Sequence, residues 1–101
     1  MKVKVPQVIQ VGGRAFKIVM LSDLVIKEGA AGRCVVRIGE IKVDTTCCPE
    51  AKQGNFLHEL VHAIDYVYCG DHLTEDTVSG LSEGWLQFLK QLGIELEFDS
   101  E

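Results

Sequence analysis

The segment PEAKQGNFLHELVHAIDYVYCG, Pro49 to Gly70, decides how the chain is read. Pro49 suits the first position of a helix, where no N–H is needed, and Gly70 suits the position just past its end, where a left-handed backbone is favoured. Between them Leu57, Leu60, Val61, Ile64 and Tyr68 recur at helical spacing, which predicts one helix of roughly five turns. With His58 set at zero, these apolar residues gather roughly 200° to 300° round the axis and are expected to face the core. His58, His62, Asp65 and Cys69 form a polar stripe, each within about 40° of His58, on the other side.

That stripe has a chemical meaning. Residues four apart lie about 40° apart around a helix, so His58 and His62 set two imidazoles side by side, at a separation one metal ion bridges. Glu59 sits about 100° round from His58, too far aside to be a ligand but placed to take a proton from a metal-held water. Two neutral nitrogen ligands, a carboxylate base and an open coordination position make up the zinc-metallopeptidase pattern H-E-x-x-H, which His58-Glu59-Leu60-Val61-His62 fits. Two solvent-facing histidines on an ordinary amphipathic helix would share the spacing; the bounded helix and the segregated stripe favour a site.

The remainder of the chain limits the alternatives. At 101 residues, with 47% hydrophobic and 25% charged residues, it is expected to be a single folded domain, 1–101, with one modest core. A net charge of -5 argues against nucleic acid and anionic membranes as partners. No apolar run is long enough to span a bilayer, and Met1-Lys2-Val3-Lys4-Val5-Pro6 alternates charge with Val where a signal peptide would be apolar, so a cytoplasmic location is expected. Cys34, Cys47, Cys48 and Cys69 include no C-x-x-C pair and read as reduced thiols, with Cys34 a small core residue. Cys69 lies nearly two turns beyond His62, which disfavours it as a ligand.

The first half reads as β structure. Gln7 to Val11 and Ala15 to Leu21 are strand-like runs joined through Gly12-Gly13, a pair suited to a tight hairpin. A loop or short helical turn follows to Gly32, then strands at Arg33 to Ile38 and Ile41 to Thr45 around a turn at Gly39-Glu40. Strict alternation of Ile41 and Val43 with Lys42 and Asp44 predicts that the last strand is a sheet edge. Past the motif, Thr74 is a plausible N-cap for a helix whose apolar stripe is Val78, Leu81, Trp85, Phe88, Leu89 and Leu92, ending at Gly93. Ile94, Leu96 and Phe98 alternate with Glu95, Glu97 and Asp99, as either one more strand or an acidic frayed end. The expected fold class is α+β: a small antiparallel or mixed sheet, read as a meander, packed on two C-terminal helices.

A catalytic zinc site usually has three protein ligands. An extended H-E-x-x-H-x-x-G-x-x-H pattern needs Gly at 65 and His at 68; Asp65 and Tyr68 exclude it. From the centre of the second helix's apolar stripe, Glu75 lies about 90° round, bordering the packed face, while Asp76 and Glu83 lie near 170°. Glu75 is therefore the favoured third ligand, with His72 and Glu83 as alternatives. The helix dipole alone would also favour acidic residues at 75 and 76. Ser79 and Asp65, each one turn from a ligand, are candidate orienting partners.

The run Leu57-His58-Glu59-Leu60-Val61-His62-Ala63-Ile64-Asp65-Tyr66, followed by Leu73-Thr74-Glu75-Asp76 and Leu81-Ser82-Glu83-Gly84, resembles small gluzincin metallopeptidase domains. These include phage and mobile-element proteins of the ImmA/IrrE type and the minigluzincins. The similarity is close over the C-terminal half and loose before it. It implies a zincin-like fold in which His58, His62 and Glu75 hold a zinc ion (Zn2+), Glu59 is the general base and acid, and an edge strand, Ile41 to Thr45, aligns an extended peptide or protein substrate. The chain departs from the family pattern at Ser79, where an Asp is common, and in offering only His72, Tyr66 and Tyr68 as candidates for stabilising an oxyanion. A zinc-binding but catalytically weak or latent regulatory protein of the same fold is the rival expectation, with the acidic tail Glu95 to Glu101 a candidate to lie across the cleft.

Overall fold

In the computed structural model, which describes residues 1–98, the chain runs β1 (Lys2–Lys4), β2 (Val8–Val11), β3 (Arg14–Leu21), α1 (Leu24–Glu28), β4 (Gly32–Val35), a single 3-10 turn (Val36–Ile38), β5 (Glu40–Asp44), α2 (Pro49–Tyr68), α3 (Glu75–Gln91) and β6 (Glu95–Glu97). Asp99, Ser100 and Glu101, the end of the acidic tail, lie outside the described residues. The fold is α+β, with a mixed four-stranded sheet in the order β2-β3-β5-β4; of the two long helices expected against it, α2 lies on the sheet and α3 packs on α2. No helix among the described residues is long and apolar enough to cross a membrane.

The expected hairpin forms, with Val11 opposite Arg14 across Gly12 and Gly13. Gly12 has φ +60°, and a Cβ on it would stand 2.6 Å from Val67 Cγ1, so the residue serves both the turn and the close approach of α2. Beyond the hairpin the meander fails. From β3 the chain crosses through α1 to β4 and returns as β5 between them, so that β5 is parallel to β3 and antiparallel to β4.

Ile41 to Thr45 is thus not an edge strand, as its alternation suggested; β5 is central, and β2 and β4 are the edges. Alternation reports that one face of a strand is buried, and a central strand of a sheet covered on one side shows it equally. Ile41 and Val43 are fully buried under α2, while Lys42 on the opposite face pairs with Glu28 at 3.6 Å. The core joins these two to Phe16 and Val11 from the sheet and to Phe56, Leu57 and Ala63 from α2. Ala63, fully buried, lets the helix sit low on the strands.

At the end of β5, Asp44 is fully buried. One oxygen accepts from the Val25 N–H at 2.9 Å, in the first turn of α1, and the other from the Thr46 N–H and hydroxyl at 2.8 and 2.6 Å. Asp23 at the α1 N-cap makes no side-chain cap bond, so Asp44 does that work from another strand. The Thr46 hydroxyl first, then the Val25 and Thr46 amides, hold its carboxyl below the ordinary 3.8.

The alternation after Gly93 resolves as a strand. β6 pairs in parallel with β1, Lys2 lies 3.7 Å from Glu97, and Leu96 N–H donates to Gln53 Oε1 of α2 at 2.9 Å. Phe98 meets Phe56 edge-on at 5.3 Å. Residues 95 to 98 therefore lie on the core, not across the motif face.

Both helices keep part of the face expected of them, Leu57 and Leu60 on α2 and Val78 and Leu89 on α3 packing inward, but each is turned from the rest of its stripe. On α2, Ile64 and Tyr68 are 40% and 67% exposed, while Phe56, Ala63 and the polar Gln53, Glu59 and Asp65 are inside. On α3, Val78, Ser82, Leu86 and Leu89 carry the packing, and Leu81, Trp85, Phe88 and Leu92 point outward, each about half exposed. Apolar content located the stripe on each helix; contact with a sheet and a second helix, which tolerates small and hydrogen-bonded residues, set the orientation. Thr74 caps α3 as expected, its side chain accepting from Thr77 N–H.

Val78→Ala, at the seam of the two helices, is expected to cost about 2 kcal/mol in urea unfolding followed by circular dichroism, and Phe88→Gln on the outward face less than about 0.5 kcal/mol. For Asp44 the folded carboxyl is the stronger acid, so its contribution is complete above the unfolded value and disappears as pH falls through the lower, folded one. The stability gap between wild type and Asp44→Asn should accordingly be constant from near neutrality to about pH 5 and shrink below about pH 4. A gap independent of pH would show that the carboxylate charge is not what caps α1.

Candidate metal centre

One helical turn apart on α2, the rings of His58 and His62 have centroids 4.9 Å apart, and each side chain is one-quarter exposed. What they face is decided by the corner between α2 and α3. Asp65, fully buried, accepts from the His72 N–H at 3.1 Å and the Leu73 N–H at 3.2 Å through its two carboxylate oxygens, while its carbonyl accepts from Cys69 and Asp71. Gly70 and Asp71 both turn left-handed, with φ 71° and 60°. This tight corner brings the first residue of α3 back over the motif.

Glu75 consequently spans both imidazoles, with Oε1 2.8 Å from His58 Nε2 and Oε2 3.0 Å from His62 Nε2. Ligand atoms of the three residues all lie within 4.8 Å of one another. Donors around a tetrahedral zinc stand about 3.3 Å apart, given bonds of about 2.0 to 2.1 Å. The two histidine–carboxylate distances fall a few tenths of an ångström inside that spacing, and two imidazoles with one carboxylate form a donor set suited to zinc. Neither His72 nor Glu83 belongs to this cluster: His72 is fastened in the corner through its backbone, and Glu83 lies further along α3.

Glu59 points toward the sheet and is only 9% exposed. Burial pushes its carboxyl above the usual range and Glu75 adds to the rise, against the opposing pull of His58, the Cys34 backbone N–H and Arg33. Gly32 gives it room, since a Cβ there would lie 3.1 Å from Glu59 Cγ and 3.3 Å from Oε2. Cys34, half-buried beside it, has its thiol pushed up to about 11 by burial and by the charges of Glu59 and Asp71, which keeps it protonated. All four cysteines are free thiols, as the sequence suggested.

The three-residue cluster and Glu59 open on a cavity of about 450 Å³ whose other wall is β4, through Gly32, Arg33 and Cys34, with Asp71 at the corner. An edge strand does border the cavity, and it is β4 in place of Ile41 to Thr45. None of the proposed oxyanion partners lines it. Tyr68 lies by Gly12 and Tyr66 under the Arg14 guanidinium, 5.4 Å from the ring centre, both near the β2-β3 hairpin. Asp65 orients the corner and not a ligand atom, and Ser79 sits on the wall of a second cavity. Arg33, Cys34 and Asp71 were not legible as site residues, because only the β4-β5 pairing and the left-handed corner bring them there. No protein-family model, curated protein or solved structure matches the chain.

Replacing Asp65 by Asn puts a donor where two amides must be accepted and loosens the corner under Glu75. Zinc affinity, measured by competition with a chromophoric chelator, is expected to fall about tenfold while helix content by circular dichroism is kept. Unchanged affinity would show that Glu75 is held by α3 packing alone.

Proposed function

We propose that the chain is a zinc-dependent peptidase with a zincin-like fold of the gluzincin type. The observation that carries this reading is the convergence of His58, His62 and Glu75 at the mouth of a cavity on whose wall the carboxylate of Glu59 is buried. Zinc bound there supplies Lewis acidity, polarising the scissile carbonyl and lowering the pKa of its water. Glu59 would take a proton from a water at the cluster and return it to the leaving amine, a role its position on the cavity wall suits. The backbone N–H of Cys34 aims it, and Gly32 keeps β4 from displacing it. With β5 on one side only, β4 offers an extended peptide a strand edge along the cavity.

A second reading, a zinc-binding protein of weak or latent catalytic power, draws on one feature. Among the described residues lining the cavity there is no Tyr and no His other than the two clustered ones, and Arg33, engaged by Glu28 at 3.2 Å, is the one cation.

Elemental analysis and turnover of a denatured protein substrate divide these readings. Wild type should hold about one zinc per chain, lost or much weakened in His62→Ala and Glu75→Ala. Glu59→Gln should keep the metal and lose about 10²- to 10⁴-fold in rate. Zinc without Glu59-dependent turnover would favour the second reading, and no zinc after reconstitution would end both.

A further inference from the structure

A second cavity, of about 330 Å³, lies between α2 and α3 on the other side of His58 from β4. Its origin is in the sequence. Where the helices face each other beyond the metal cluster, the residues are small: Ala51 and Gly54 on α2, Ser79 and Ser82 on α3. A Cβ at Gly54 would only just touch Leu86 Cδ2, at 3.6 Å, so the helices meet below and leave a slot above. Its length runs from His58 toward Glu50, whose carboxylate is neutralised by Lys90.

We infer that this slot is a substrate subsite for a long basic side chain, Lys or Arg, next to the scissile bond, with Glu83 its specificity-determining residue. The inference rests on the peptidase reading and adds a substrate class to it. Three observations lead to it. The slot shares His58 with the metal cluster, so its near end lies within a side chain's reach of a bond held at the metal. Leu86, Gly54 and Ala51 offer apolar wall to an aliphatic stem, while Asn55, Ser79, Ser82 and Glu83 add polar and charged groups. Finally, no Lys or Arg lines it, and Glu83 is exposed on its rim without an ion-pair partner among the described residues. A carboxylate beside a slot of this shape favours an ammonium or guanidinium over a neutral or acidic group.

Glu83 touches neither the metal cluster nor Glu59, so its replacement alters preference without removing the chemistry. Denatured casein and a synthetic peptide mixture are incubated with zinc-loaded wild type, Glu83→Gln, Glu83→Lys and Glu59→Gln, zinc content is checked in each, and cleavage sites are mapped by mass spectrometry. Wild type should favour Lys and Arg on one side of the cut by about fivefold, Glu83→Gln should lose the preference, and Glu83→Lys should move it to Asp and Glu. Glu59-dependent cleavage with the same preference in wild type and Glu83→Lys would overturn the subsite and leave the peptidase standing. Zinc lost in Glu83→Gln would make Glu83 a ligand and overturn it as well. Zinc-loaded wild type no faster than Glu59→Gln would remove the peptidase reading and the subsite with it.

Discussion

Two backbone amides, those of His72 and Leu73, end on one buried carboxylate, and the site depends on that arrangement. Without Asp65 these donors would lie unpaired at the corner, each at a cost of about 1 to 3 kcal/mol. With it, the chain reverses over two left-handed residues and starts α3 within reach of the α2 histidines. Asp71 accepts a positive φ to make that turn, a conformation costing of order 1 kcal/mol for a residue with a Cβ. A short, strained and fully bonded corner fixes the position of a carboxylate far better than a long loop would.

The motif helix serves two surfaces at once. His58 and His62 look outward to Glu75, while Glu59 looks inward to β4 and is almost covered. Burying a carboxylate near a second one is unfavourable, which is why its proton is held more tightly than on a surface glutamate. The fold limits that cost in two ways: the N–H of Cys34 donates to it, and the missing side chain of Gly32 leaves it space.

Much of this was legible in the residues, and what was not has a physical reason. Pro49, Gly70, Thr74 and Gly93 mark helix ends through local backbone chemistry, so the bounds of α2 and α3 follow closely from sequence. His58, Glu59 and His62 are related by helical spacing alone, which needs no tertiary information. The order of β3, β4 and β5 is different in kind: alternation in Ile41 to Thr45 records one buried face and is silent about neighbours in the sheet. Helix rotation failed for a related reason. The stripe that places Glu75 runs through Val78, Leu81, Trp85, Phe88, Leu89 and Leu92; Val78 and Leu89 do pack inward, but Leu81, Trp85, Phe88 and Leu92 face outward, and the line through Val78, Ser82 and Leu86 turns Glu75 to the motif. Burial of Gln53, Glu59, Asp65 and Ser82 depends on partners distant in the chain or in the corner, which hydrophobicity does not register.

The outward face of α3 has a spectroscopic consequence. Trp85 is the chain's only tryptophan, 56% exposed, its indole edge-on to Phe88 at 5.9 Å. So exposed a ring is expected to emit as a hydrated indole in the folded protein, and unfolding should change its colour little, which makes intrinsic fluorescence a poor gauge of stability. The same position makes it a clean gauge of something else. Any apolar surface that settles on α3 must dehydrate that ring, and a shift of its emission to the blue reads out such coverage separately from events around His58.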